Sequence, residues 1–262
     1  MSGGKYFQFG LLYFLVFTFL FFSMMIGTTG FNAAIAAGEE AIESEATYSA
    51  LKVNDPFEKF NREIFKFNDR TYFYVLKPTA TVYAAIFPPC FRTSVRNGFY
   101  NLVFPSRFVN SVLQGKGNRA GTETARFVIN STMGLAGLFD VAETHFGIIG
   151  QEADFGQTLA LWGVDAGPFL IIPLLGPSDV RDIFGYGVDS VMDPIFWIPM
   201  EWWVGLAVNA GNIINKFSLK LGEYEDFKKA SFDPYISMRE AYMHHRANQI
   251  AKSLSIGDLP AD

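Results

Sequence analysis

Residues 55–69 read DPFEKFNREIFKFND and predict an amphipathic helix. An aspartate followed by proline is typical of a helix start, since the Asp55 carboxylate accepts backbone N–H groups and proline has none to leave unpaired. Charged residues cover one face of this helix. Four apolar residues at steps of three and four form the other face: Phe57, Phe60, Ile64 and Phe67. A globular core and a membrane interface both suit such a stripe, and the helix alone leaves both interpretations open.

The rest of the chain also predicts helices. Asp-Pro pairs recur at Asp193 and Asp233, and the alternation of apolar and polar residues that marks a strand is scarce. Glycine and proline separate the periodic segments. The further predicted helices are 92–115, 119–133, 178–190, 195–217 and 235–253. The predicted fold class is therefore all-α.

Two aromatic or apolar segments stand apart from this pattern. Residues 167–177 read GPFLIIPLLGP, and the central Pro173 argues against a helix or a central strand, so we expect an apolar hairpin or loop that is buried or touches lipid. Residues 194–208 hold Trp197, Trp202 and Trp203. Tryptophan clusters are favoured at membrane–water interfaces, although a tryptophan-rich core is the alternative.

The N-terminus indicates export. Residues 1–37 carry one charge, Lys5, and contain a long apolar run followed by small residues with an A-x-A pattern, which predicts a secretory signal peptide. The apolar run of about 18–21 residues is also long enough for a retained membrane anchor, so cleavage and retention both stay open. We expect 38–53 to be a flexible acidic linker and 254–262 a flexible tail. The single cysteine is residue 90, so no cysteine follows the apolar run to carry a lipid.

Composition and motifs exclude several function classes. The net charge of −5 disfavours a nucleic-acid partner, and the 16% aromatic content excludes a disordered chain. The sequence contains no GxSxG, Walker A or HExxH motif. We therefore predict no catalytic residue, no metal ligand and no cofactor. Arg181 lies close to the apolar segment, where its guanidinium suits a lipid phosphate. Helix capping and a local ion pair among Asp179, Arg181 and Asp182 are the plainer interpretation.

A series of motifs in one order resembles the MlaA (VacJ) family over about residues 54–252. These motifs are NDPFEKFNR (54–62), FKFND (65–69), FVN (108–110), LQG (113–115), NSTMG (130–134), GLFDVA (137–142), DFGQTL (154–159), PLLGPS (173–178), VRD (180–182), DPYI (233–236) and REAY (239–242). The resemblance implies a ring-shaped bundle of amphipathic helices lying in one leaflet, formed by residues 54–253. It also implies a non-enzymatic protein on the periplasmic side of the outer membrane of Gram-negative bacteria. Such a protein removes phospholipid misplaced in the outer leaflet through an amphipathic central channel.

The resemblance also implies partners and site residues. The implied partners are phospholipid, a periplasmic lipid carrier and a trimeric porin. The resemblance implies that Phe57, Phe60, Ile64 and Phe67 embed in the membrane, and the interface preference of tryptophan adds Trp197, Trp202 and Trp203. The residues implied to line or gate the lipid path are Asn68, Phe169, Leu170, Pro173, Leu174, Leu175 and Gly176. Two alternatives remain: a porin scaffold without a lipid path of its own, and a lipid hydrolase. Family members are often lipoproteins, and the missing cysteine departs from that pattern.

Overall fold

The computed structural model describes residues 55–255, and helices dominate this part of the chain. The predictions for 1–37, 38–53 and the end of the tail lie outside the described residues. The elements are α1 (Glu58–Thr71), a π-helical turn (Tyr72–Leu76), α2 (Lys77–Ile86), α3 (Pro89–Leu102), α4 (Phe104–Leu113), α5 (Gly117–Thr132), α6 (Val141–Phe146), α7 (Phe155–Leu161), β1 (Phe169–Ile172), β2 (Gly176–Asp179), α8 (Val180–Met192), α9 (Pro194–Trp197), α10 (Trp202–Ser218), α11 (Glu223–Ala230) and α12 (Pro234–Ser255). The helical fold class is confirmed.

Proline divides two of the predicted helices. The segment predicted at 92–115 is two helices, α3 and α4, because Pro105 has no N–H to bond back to Asn101. The segment predicted at 195–217 breaks at Pro199 into α9 and α10. The π-helical turn, α2, α6, α7 and α11 were not predicted.

The three Asp-Pro pairs do not all serve as caps. Asp193 accepts the Ile195 N–H at 2.9 Å, and Asp233 accepts the Tyr235 N–H at 3.0 Å, as predicted. The prediction for Asp55 is wrong: α1 begins at Glu58 without a side-chain cap. The Asp55 carboxylate instead accepts hydrogen bonds from α1 and α12, namely from Asn61, Tyr235 and Arg239. It therefore ties the two ends of the fold together.

The segment 167–177 forms the predicted apolar hairpin. Strand β1 pairs antiparallel with β2, from Phe169 opposite Asp179 to Ile172 opposite Gly176. The chain turns through residues 173–175, and Leu174 adopts a left-handed backbone conformation with φ of 67°. A branched residue rarely adopts this conformation, so interactions of the turn with the rest of the fold must hold it.

The described residues bury polar side chains and expose apolar ones. Of the buried residues other than glycine, 19 are polar or charged and 10 are apolar, and four of those 10 are alanine. In contrast, 35 large apolar side chains are exposed. Water-soluble folds have the reverse distribution, since burying apolar surface drives their folding. No helix within 55–255 is both long and apolar enough to cross a bilayer.

Helices α7 and α8 cross at two glycines. A Cβ on Gly185 would lie 2.5 Å from the backbone nitrogen of Gly156. A Cβ on Gly156 would lie 2.4 Å from the Asp182 carboxylate. The missing side chains allow the two backbones to approach closely, which brings the carboxylates of both helices into one buried cluster.

Candidate functional site

Two asparagines of α1 hold the edge of the hairpin. The Asn61 amide donates to the Phe169 carbonyl at 3.0 Å and accepts the Ile171 N–H at 3.0 Å. The Asn68 amide donates to the Ile172 carbonyl at 3.0 Å and accepts the Leu174 N–H at 2.8 Å. Each side chain thus bonds a carbonyl and the N–H two residues later, within β1 for Asn61 and from the end of β1 into the turn for Asn68. We call Asn61 and Asn68 the asparagine clamp.

The hairpin has a buried base and an exposed tip. Phe169 is buried, with ring centroids 6.4 Å from Tyr235 and 6.0 Å from Tyr242. Leu170 is half-buried, whereas Pro173, Leu174 and Leu175 at the turn are exposed. Gly176, half-buried, begins β2 with φ of 96°. Phe169 therefore anchors the base of the hairpin in the apolar cluster, and its role at the lipid path stays a prediction.

The predicted membrane-embedding residues are exposed, with one exception. About half of the surface of Phe57, Phe60 and Phe67 is exposed, as is Trp203, and Trp202 is 79% exposed. Trp197 is also exposed, and its indole N–H donates to the Val191 carbonyl. Ile64 differs, because it is half-buried against the cluster of Phe169, Ile171 and Tyr235. Ile64 lies three residues after Asn61 and four before Asn68, so it shares the helix face of the asparagine clamp.

Arg181, the predicted headgroup candidate, is buried and paired with carboxylates. Its guanidinium is 3.5 Å from the Asp179 carboxylate and 3.2 Å from that of Asp182, and only 7% of the residue is exposed. Asp179 also accepts the Asp182 N–H at 2.8 Å and so caps α8. The predicted cap and ion pair are confirmed, and the guanidinium is already occupied by carboxylates. Burial and the neighbouring Asp182 charge raise the pKa of Asp179.

Behind the hairpin, Arg246 of α12 joins the carboxylates of α7 and α8. Its Nη1 lies 2.7 Å from Asp154 Oδ2, and its Nη2 lies 2.7 Å from Asp182 Oδ1. Tyr242 adds a hydrogen bond of 2.6 Å to Asp182. Burial alone would raise the pKa of Asp154, but the hydrogen bonds and charge of Arg246 outweigh it and lower that pKa. These bonds fix α12 against the crossing of α7 and α8.

Asp189 of α8 is a half-buried carboxylate that three hydrogen-bond donors stabilise. It accepts from the Ser106 hydroxyl at 2.7 Å, the Asn110 amide at 2.7 Å and the Phe155 N–H at 2.9 Å. Burial raises the pKa of Asp189, and the three donors oppose that shift. The contacts among α4, α7 and α8 are therefore polar and charged. A soluble helical bundle has an apolar core at such contacts.

The sequence analysis missed several residues of this arrangement. Asn61, Asp154, Asp189 and Arg246 are all central to it. The separation of Asn61 and Asn68 by seven residues is a signal available from the sequence, because such residues lie on one face of a helix two turns apart. Nothing in the sequence pairs Arg246 with Asp154, which is 92 residues away. Within 55–255, no group of three or more His, Cys, Asp and Glu side chains is arranged to hold a metal ion.

Comparison with known proteins gives one family. Residues 53–249 match a family model described as MlaA lipoprotein. An uncharacterized protein of Rickettsia felis is 35% identical over 203 residues, which cover 76% of this chain and 78% of that protein. The intermembrane phospholipid transport system lipoprotein MlaA of Haemophilus influenzae is 32% identical over 198 residues, covering 72% and 76%. Its namesake in Escherichia coli K12 is 30% identical over 196 residues, covering 72% and 75%.

A solved structure shares the fold. It was reported as the structural basis for maintenance of bacterial outer membrane lipid asymmetry. The two superpose with a TM-score of 0.66 at 30% sequence identity. The match covers 75% of this chain and 98% of the other, so it extends over nearly the whole of that protein.

Proposed function

The chain belongs to the MlaA lipoprotein family, and from that premise we propose that it transports phospholipid to maintain outer-membrane lipid asymmetry. It takes misplaced phospholipid from the outer leaflet through an amphipathic channel within a ring of helices. It then passes the lipid to a periplasmic carrier. The step is non-enzymatic, since moving a lipid breaks no covalent bond and requires no nucleophile.

The reversed burial pattern is the observation that carries this proposal. Apolar side chains that face outward need lipid or a protein partner, because a water-exposed surface of this extent is unfavourable. Polar groups that face inward suit the headgroup of a phospholipid moving through the interior. Amphipathic helices such as α1 suit a protein lying in one leaflet.

We infer that the hairpin controls the path. Its tip exposes Pro173, Leu174 and Leu175, which are apolar and suit contact with acyl chains. Gly176 begins β2 directly after the turn, Leu170 lies within β1, and Asn68 bonds to the turn. In this proposal Asn68 sets the position of the tip and thereby influences how readily lipid passes.

The proposal includes an attachment and two partners. The exposed faces of Phe57, Phe60, Phe67 and the tryptophans embed in the periplasmic leaflet of the outer membrane, so no attached lipid is needed. The partners implied by the family are a periplasmic lipid carrier and a trimeric porin. A porin scaffold without a lipid path is the competing function, since exposed apolar faces suit a protein partner as well.

The test compares hairpin variants in a strain that lacks the gene. Outer-leaflet phospholipid is measured in the deletion strain carrying wild type, Leu174→Asp/Leu175→Asp, or Phe232→Asp. The control replaces a fully exposed apolar residue outside the hairpin. Abundance and membrane fractionation are measured for each variant, so that a folding defect is recognised.

We expect the deletion to raise surface phospholipid, Phe232→Asp to restore asymmetry and the double variant to fail at normal abundance. Normal asymmetry in the deletion strain contradicts the transport proposal. Full complementation by the double variant favours the scaffold, because an apolar lipid path would not tolerate two carboxylates at its entrance.

A further inference from the structure

Two tyrosines of α12 contact the base of the hairpin. Tyr235 and Tyr242 are seven residues apart and therefore lie on one face of the helix, two turns from each other. The centroid of the Phe169 ring lies 6.4 Å from that of Tyr235 and 6.0 Å from that of Tyr242. We call these two residues the tyrosine pair. The asparagine clamp of α1 holds the backbone of β1, whereas the tyrosine pair holds the side chain of its first residue.

A carboxylate anchors each hydroxyl of the tyrosine pair. The Tyr235 hydroxyl donates to Asp55, just before α1. The Tyr242 hydroxyl donates to Asp182 of α8 at 2.6 Å and lies 3.4 Å from Asp179, the last residue of β2. Burial and the neighbouring carboxylates raise the pKa of both hydroxyls, so both remain hydrogen-bond donors.

The rings of the tyrosine pair are also held at their faces. Tyr235 is 2% exposed, and the ring of Phe65 meets it edge-on with centroids 6.0 Å apart. The Arg62 guanidinium lies 4.4 Å from the centroid of the same ring, which is a cation–π contact. Tyr242 is half-buried in the same apolar cluster. A ring that is fixed at its face and at its hydroxyl cannot turn without losing a contact, so Phe169 packs against a rigid surface.

The location of the tip depends on this base, because the hairpin acts as a lever. The four residue steps from Phe169 to Pro173 span about 13 Å in an extended strand, so a tilt of about 10° at the base moves the tip by about 2 Å. The Leu174 N–H donates to Asn68 at 2.8 Å. A displacement of about 2 Å would break this bond.

We propose that Tyr235 and Tyr242 are positioning residues for lipid passage: they fix the tilt of the hairpin and thereby the location of its apolar tip. The inference rests on the proposed function, in which the hairpin controls the path, and it extends that control to α12. Each tyrosine acts through Phe169 rather than by touching lipid.

The test removes one hydroxyl at a time from full-length protein. Tyr235→Phe and Tyr242→Phe keep the ring and delete its anchor. Each variant is purified in detergent, and its melting temperature and amide exchange over residues 167–177 are measured. Each variant is also expressed in the deletion strain, where surface phospholipid and protein abundance are measured.

Two tyrosines outside the hairpin base provide matched controls. Tyr72 is buried like Tyr235, and its hydroxyl donates to Glu225 at 2.8 Å. Tyr224 is half-buried like Tyr242, and its hydroxyl donates to Asp69 at 2.9 Å. The two control rings contact each other, with centroids 4.5 Å apart. Tyr72→Phe and Tyr224→Phe therefore delete the same kind of bond without touching Phe169.

We expect all four variants to lower the melting temperature by a similar amount, about 3–10 °C, because each loses one hydroxyl–carboxylate bond. Exchange at Leu174 should accelerate about threefold in the two variants of the tyrosine pair and stay at the wild-type rate in both controls. Surface phospholipid should exceed the wild-type level about twofold for the tyrosine pair, whereas the controls should restore asymmetry.

Equal acceleration at Leu174 in all four variants overturns the proposal, since exchange then reports a general loss of stability. Wild-type exchange in both variants of the tyrosine pair also overturns it. Wild-type surface phospholipid despite faster exchange, in a strain whose deletion raises that phospholipid, overturns the role in lipid passage. Normal asymmetry in the deletion strain itself contradicts the proposed function. The exchange measurement does not depend on transport, so the two proposals fail separately.

Discussion

Asn61 and Asn68 lie two turns apart on α1, and each holds the hairpin through one donated and one accepted backbone bond. Asn61 bonds Phe169 and Ile171 within β1, whereas Asn68 bonds Ile172 at the end of β1 and Leu174 in the turn. Seven helical residues advance by about 10.5 Å, and the three steps from Phe169 to Ile172 advance by about 10 Å in a strand. The spacing of the two amides therefore matches the length of β1, so one helix holds both the base and the turn of the hairpin.

The two halves of the clamp should differ in what they stabilise. Asn61→Ala leaves the buried Phe169 carbonyl and Ile171 N–H without partners, so we expect a loss of about 3 kcal/mol in the free energy of unfolding. Asn68→Ala affects the exposed tip, where water replaces the amide. We expect amide exchange at Leu174 to accelerate about fivefold with little change in melting temperature. Melting temperatures and hydrogen exchange over residues 167–177 measure the two effects.

Asn209→Ala provides the control for this pair. Its amide bonds within its own helix, to the Gly205 carbonyl, and it is exposed. It should change neither the melting temperature nor exchange in the hairpin. Unchanged exchange at Leu174 in Asn68→Ala would show that the turn is held by other contacts.

The helical class and the hairpin were predictable because they depend on local chemistry. Pro173 between two apolar runs excludes a helix there, and Asp193 and Asp233 act on N–H groups two or three residues away. Asp55 has the same Asp-Pro signal but binds Tyr235, 180 residues away. The local capping rule gave a wrong prediction there, because residue spacing cannot reveal a partner so distant in sequence.

The exposure and partners of individual side chains were less predictable than the helices and the hairpin. Phe67 and Ile64 belong to one predicted stripe, yet one is exposed and the other packs on the cluster of Phe169. Periodicity identifies an apolar face but not its two edges, which depend on the neighbour against which the helix packs. Arg181 likewise shows no sequence signal that separates a phosphate ligand from a residue paired with carboxylates.

The crossing of α7 and α8 should not tolerate a methyl group. Gly185→Ala places a Cβ 2.5 Å from backbone, which cannot move aside as a flexible side chain does. We expect a loss of about 3 kcal/mol in the free energy of unfolding. Gly187→Ala on the same helix meets no atom within 4 Å and should be neutral or stabilising by up to ~1 kcal/mol. Thermal unfolding in detergent compares them; similar melting temperatures would contradict the crossing.

The bond between Asp154 and Arg246 should make stability depend on pH. The lowered pKa of Asp154 means that its contribution is present above the ordinary carboxyl pKa of about 4 and is lost as pH falls through the folded-state pKa. Asn caps a helix as well as Asp does, so Asp154→Asn removes the charge and keeps the cap of α7.

We expect Asp154→Asn to cost about 2 kcal/mol at pH 7 and progressively less below pH 4. Melting temperatures of both proteins between pH 7 and pH 3 measure this difference. A difference that stays constant over this range would mean that the charge of Asp154 contributes nothing to the bond.

The exposed phenylalanines of α1 distinguish a membrane face from a protein-binding face. Phe60 is exposed, and transfer of its side chain into lipid is worth roughly 1.5–3 kcal/mol. Phe60→Gln should therefore lower the partition coefficient into phosphatidylcholine vesicles about 10- to 100-fold. Lys59→Gln, next to it on the exposed surface, should change partition little because these vesicles carry no net charge. If Phe60→Gln partitions like wild type but loses a copurifying porin, this face binds protein. That result would favour the porin scaffold over the transport proposal.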